Sequence, residues 1–170
     1  MMICKNTKHS GFTLIEMILY LAISSIFLTG VVYFTWDIVY GRVKSFTFQE
    51  VNYNVRFASK RITYEIKNAE SINSITGNSI SLQMADGSRN PTEIQLSGGR
   101  VRIGYGSSGN CPINNPCYLT SDNVTVNDLS FTDLSSGNSS NIKFSLTVES
   151  SGDRQEFNNI QTVETAVEVR

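Results

Sequence analysis

A lone carboxylate, Glu16, sits in the 25 residues from Phe12 to Trp36 (FTLIEMILYLAISSIFLTGVVYFTW), which carry no other charge. In apolar surroundings an ionised carboxyl is costly: insertion scales charge roughly 2.5–3.5 kcal/mol for an aspartate at mid-helix, and less near the interface. Such a group calls for a partner charge. Gly11 stands just before the run, a residue without a side chain and with a permissive backbone. Farther on, Cys111 and Cys117 bracket the turn-forming stretch PINNP. A disulfide closing so small a loop contributes ~2.4 kcal/mol by chain entropy, before strain. Two free thiols are the alternative, and zinc would need two more ligands where the distal part has no histidine and no third cysteine.

The rest of the composition removes chemistry. The single histidine is His9, so catalytic dyads, triads and histidine metal sites are excluded from the body of the chain. Lysine plus arginine number 14 against 15 acidic residues, leaving no global field to attract nucleic acid. Asp122, Asn123, Asn127 and Asp128 carry oxygen ligands but lack a calcium-loop pattern, and turn formation accounts for them. The triplets at Asn123 and Asn138 fit a glycosylation pattern that short sequences often produce by chance. Arg100 and Arg102 share one strand face, where they form either an anion contact or a soluble edge. No nucleophile-elbow, phosphate-loop or dinucleotide motif is present. The sequence predicts no catalytic residue, no metal and no cofactor.

The elements that position Glu16 and the cysteines are legible. As a helix, the apolar run is ~37 Å long, enough to cross a hydrocarbon core of ~30 Å with some tilt. Tyr33, Trp36 and Tyr40 cluster at its far end, where amphipathic rings favour the headgroup region. The run is longer than a signal-peptide core and exits through bulky aromatics, so removal after it is not expected. Lys5 and Lys8 before it are balanced by Arg42 and Lys44 after it, so charge alone does not orient the helix. A Cys111–Cys117 disulfide would do so, placing the distal part in an oxidising compartment and the amino terminus in the cytoplasm.

Beyond the run, Ile38, Val43, Phe46, Val51, Val55, Ala58, Ile62, Ile66 and Ala69 recur mainly at three- and four-residue spacing. A continuous helix from Phe12 to about Ala69 would extend ~87 Å, with Gly30 and Gly41 as weak points. Arg56, Lys60, Arg61, Glu65, Lys67 and Glu70 are expected on its other face, solvated or meeting neighbouring subunits. From Ser71 short alternating runs predict strands at Ser71–Ile75, Ser79–Met84, Thr92–Leu96, Val101–Tyr105, Tyr118–Thr120, Val124–Val126 and Leu129–Leu134. Ile142 to Val148 alternates most clearly, Gly152-Asp153 marks a turn, and Ile160 to Val169 supplies a last strand. A long helix against a small, mainly antiparallel sheet is an α+β fold.

The stretch KHSGFTLIE, Lys8 to Glu16, resembles the processing site of type IV prepilins and the related pseudopilins of type II secretion. The resemblance covers a basic leader ending in glycine, then phenylalanine, then glutamate as the fifth residue of the mature chain, directly followed by the apolar run. It implies a leader at residues 1–11, cleaved between Gly11 and Phe12 by a prepilin peptidase/methyltransferase that also methylates the Phe12 amine. Glu16 would then pair with the first-residue amine of a neighbouring subunit. The segments would be 12–36, a membrane or filament-core helix; 37–70, its amphipathic continuation; and 71–170, a β-rich domain with pilin architecture.

The implied protein is a structural subunit of a type IV pilus or of a secretion or competence pseudopilus, and not an enzyme. Its implied partners are other pilins or pseudopilins and an inner-membrane assembly platform, with one pass through the bacterial inner membrane. Val55 to Ile72 resembles the matching stretch of larger minor pseudopilins, and Tyr33 stands where many major pilins carry a helix-bending proline, which favours a minor subunit. The alternative is an anchored tip subunit whose distal domain holds a ligand such as DNA or a surface.

Overall fold

The computed structural model describes residues 11–113, 116–136, 139–151 and 158–169. Met1 to Ser10, the central Asn114-Asn115 of the PINNP turn, Gly137-Asn138 with the second glycosylation triplet, and the Gly152-Asp153 turn lie outside them. The chain divides into two units, Met1–Arg42 and Val43–Arg170, and one helix, α1 (Leu14–Lys67), belongs to both. It is unbroken at Gly30 and Gly41.

In the first unit every described residue is exposed, including all of the apolar side chains from Phe12 to Tyr40. A core helix of a soluble protein would be covered. This stretch is long and apolar enough to cross a membrane, and none of its most apolar window is buried within the protein. Its hydroxyls are satisfied internally: Ser25 donates to the Ala22 carbonyl, Thr29 to Ser25 and Thr35 to Val31, each at 2.8 Å. Such back-bonding removes the cost of placing these side chains in lipid.

The second unit is built on the other part of α1. Val51, Val55, Ala58, Ile62 and Ile66 form one buried stripe, and each such aliphatic side chain contributes roughly 1.5–3 kcal/mol by leaving water. Seven strands follow: β1 (Ala69–Thr76), β2 (Ser79–Met84), β3 (Thr92–Ser97), β4 (Arg100–Tyr105), β5 (Val124–Asp133), β6 (Asn141–Ser150) and β7 (Ile160–Glu168). They make two antiparallel sheets, β1-β2-β3-β4 and β5-β6-β7. The architecture is α+β and pilin-like.

Two hairpin turns join the sheets. Gly98 and Gly99 sit at φ +60° and +72°, the left-handed pair that a two-residue hairpin needs. The Gly99 carbonyl accepts from Val126 N at 2.8 Å, and the Gly77 carbonyl from Phe131 N at 3.1 Å. Ile80, Leu82, Ile94 and Ile103 from the first sheet share one core with Leu129, Phe131, Phe144 and Leu146 from the second.

Two strand expectations need correction. Val124–Val126 and Leu129–Leu134 are one strand, β5, whose register shifts between Val126 and Asp128. Asn127 is the extra residue of a bulge. It resets the alternation so that Val124, Val126, Leu129 and Phe131 all face the core. Tyr118–Thr120 is no strand: Tyr118 makes only an isolated bridge with Arg102. Its segment is held by side chains instead.

Asn54, only 3% exposed, donates to the Glu50 carbonyl at 2.9 Å and to Ser121 Oγ at 3.2 Å, and accepts from Ser121 N at 2.7 Å. Ser121 Oγ donates to Glu50 Oε1 at 2.8 Å. Asn54→Ala strands the Ser121 amide, so we expect a loss of about 1–3 kcal/mol, slightly offset by alanine's better helix propensity. Chemical denaturation of the full chain in detergent measures it, and an unchanged midpoint would show that the clamp contributes nothing.

Candidate functional site

The amino-terminal residues are arranged by a helix cap. Gly11, Phe12 and Thr13 precede α1 without helical structure, and a Cβ on Gly11 would meet nothing within 4 Å. Thr13 O accepts from Glu16 N at 3.1 Å and Met17 N at 3.2 Å, and Thr13 Oγ1 accepts from Glu16 N at 3.4 Å. Thr13 is thus the cap and Glu16 the third helical residue, the spacing of a capping box.

Backbone N–H groups at this end carry partial positive charge, which favours an acid in the first turn. The Glu16 side chain itself is exposed and has no hydrogen-bond or ion-pair partner among the described residues. Phe12 is 72% exposed, its ring 5.8 Å from that of Tyr20. The chain thus brings Gly11, Phe12 and Glu16 together: a junction glycine, the residue that would carry a new amine, and one turn on, a carboxylate with no partner among the described residues.

Cys111 and Cys117 lie in the second unit. Asn110 N and O both bond Tyr105 at 2.8 Å, and the Cys117 carbonyl accepts from Ile103 N at 2.8 Å. Both ends of the loop are thereby fixed along β4, and the two cysteines are paired with Cα atoms 4.9 Å apart. The nearby arginines are engaged by the protein itself. Arg100 stacks 4.2 Å from the Tyr118 ring, donates to the Thr120 carbonyl and pairs with Asp122. Arg102 donates to the Gly109 carbonyl at 2.7 Å. Asn127 donates to Glu149, and no cluster of potential metal ligands occurs among the described residues.

One constellation departs from the expectation of a solvated helix face. Glu65 is fully buried. It accepts from Arg61 Nη2 at 2.9 Å, from Tyr105 Oη at 3.0 Å and from Arg89 Nη2, while Arg61 also donates to Tyr105 Oη at 2.8 Å. Burial works to lower the Arg89 pKa, but the charge of Glu65, with Tyr105, raises it above the usual arginine value. The available signal was positional: Glu65 falls three residues after Ile62 and one before Ile66, at the edge of the buried stripe. Arg61 is its local i,i+4 partner on α1, but the other two come from a short 3₁₀ turn (Gly87–Arg89) and from β4, which no local pattern could have indicated.

No curated protein and no solved structure gives a significant match to the chain. One family model does match, at residues 6–32, described as the prokaryotic N-terminal methylation motif. The matched span contains Gly11, Phe12, the Thr13 cap and Glu16, so the chain carries a prokaryotic N-terminal methylation motif.

Proposed function

We propose that the chain is cut between Gly11 and Phe12, methylated on the new Phe12 amine, and assembled as a minor structural subunit of a type IV pilus or pseudopilus. The observation that carries this reading is the unpartnered carboxylate of Glu16 at the start of an apolar helix with no cover of its own. A second subunit supplies both missing parts: its apolar helix covers the first, and its Phe12 amine neutralises the carboxylate. In this reading the helix waits in the inner membrane with the amino terminus cytoplasmic. The Cys111–Cys117 pair supports an oxidising compartment for the distal domain. The irregular loops of that domain support a minor subunit.

A photoreactive amino acid at Leu19, in cells making the whole machine, tests the assembly. We expect crosslinks to the apolar helices of other prepilin-like chains, identified by mass spectrometry. Capture of lipid alone would contradict a filament subunit.

A further inference from the structure

A groove of about 510 Å³ opens in the second unit, lined by Arg61, Tyr64, Ser88, Arg89, Tyr105 and Asn110, with the start of the disulfide loop along one side. Three of these residues hold the buried Glu65, but the charges do not balance. Two guanidinium groups face one carboxylate, leaving one positive charge in excess. Asp86, close in sequence, is fully exposed, accepts from Ser88 N at 2.9 Å and Ser88 Oγ at 2.7 Å, and offsets the charge of Arg89 only weakly from solvent.

The donors do not balance either. A guanidinium has five N–H groups in a fixed planar fork. Arg61 and Arg89 each bond Glu65 and Tyr105 through Nη2 alone. The Nε and Nη1 edges of both have no partner among the described residues, and the Nε of Arg89 is buried in that state. Leaving such a group unmade is costly. The Tyr105 ring lies 4.9 Å from the Arg89 guanidinium and the Tyr64 ring 5.6 Å from that of Arg61, so both forks are held against aromatic faces. Asn110 contributes an amide whose side chain is likewise unpaired, and the cysteine pair beside it fixes that wall.

We propose that this groove binds a small oxyanion, a phosphate or a carboxylate, on the free Nη1 groups of Arg61 and Arg89, with Asn110 and Tyr64 as further donors. A ligand with negative charge and several acceptor oxygens meets both surpluses at once, charge and donors. The groove is larger than one phosphate, so the oxyanion can belong to a larger small molecule.

The test is an NMR titration of the full-length chain in detergent micelles, labelled with ¹⁵N-arginine. Inorganic phosphate is one arm, acetate a second, and chloride at equal ionic strength the control. We expect saturable shifts of the Arg61 and Arg89 Nε–H signals at millimolar oxyanion. Response to phosphate alone identifies a phosphate site, and response to both arms a general oxyanion site. Arg61→Gln should weaken binding about tenfold, the loss of one charge-assisted hydrogen bond, and Lys60→Gln should leave it unchanged. If Arg61→Gln unfolds the domain, Asn110→Ala is the substitute and should weaken binding severalfold. Equal shifts with chloride, no saturation, or equal weakening by Lys60→Gln would overturn the proposal.

Discussion

Arg89→Ala is expected to destabilise the β-rich unit by about 3–5 kcal/mol, the range for breaking a buried ion pair by removing one partner. Glu65 has no exposed surface and depends on Arg61, Arg89 and Tyr105 for every contact its charge makes. Arg89 stacks on the Tyr105 ring at 4.9 Å, closer than Arg61 lies to the Tyr64 ring at 5.6 Å, so its loss removes both charge and packing. Arg61→Ala should cost less, because it leaves the Arg89 pair and the tyrosine bond in place. The cause is separable from lost packing by a second variant. Arg89→Ala combined with Glu65→Met removes the stranded charge, and replacing buried ion pairs by apolar groups is often close to neutral. The double variant should therefore recover most of the loss. Denaturation of the full chain in detergent provides the readout. A single-variant loss below about 1 kcal/mol, the level of an exposed pair, would show that Glu65 does not depend on this arginine.

The second large effect belongs to Glu16. We expect Glu16→Val to insert into the membrane and to be cut normally, because Gly11, Phe12 and the Thr13 cap are untouched. Incorporation into the assembled filament should fall about tenfold or more, since a hydrogen bond to a charged group contributes roughly 1.5–3 kcal/mol and each 1.4 kcal/mol is a factor of ten. Glu16→Gln keeps the shape and loses the charge. It should behave like valine if neutralisation drives alignment, and like the parent chain if packing does. The ratio of subunit in crosslinked complexes to subunit free in the membrane measures this, and a parental ratio for Glu16→Val would remove the role given to the carboxylate.

Much of this was legible along the chain, for identifiable reasons. The apolar run and the stripe from Val51 to Ile66 repeat at helical spacing, so α1 was visible to within a few residues at either end. β2 and the alternating β6 were visible because one face is buried and the other is not. The bulge at Asn127 was hidden: a two-residue gap between Val126 and Leu129 reads as a break between two strands, and only pairing with β6 shows it to be one. Tyr118 to Thr120 carries strand-like residues, but backbone pairing there is limited to one bridge. Arg100 and the Glu50–Asn54–Ser121 bonds hold the segment instead.

The amino-terminal site was readable because all of its parts lie within six residues of sequence, Gly11 to Glu16. The Glu65 cluster was not. Arg61 is four residues from Glu65, but Arg89 and Tyr105 are 24 and 40 residues away, and charge on a helix normally signals solvent. What distinguishes Glu65 from Lys60 or Lys67 is only its angle to the apolar stripe, and that becomes decisive once the sheet has closed over it.

Processing as proposed cuts the peptide bond after Gly11 and leaves a product that begins at Phe12. Mass spectrometry of the amino-terminal peptide, from protein extracted from membranes of cells with an active prepilin peptidase, decides this. We expect a peptide starting at Phe12 and carrying one added methyl group on its amine. A peptide starting at Met1 in those cells, or at any residue after the apolar run, would contradict it.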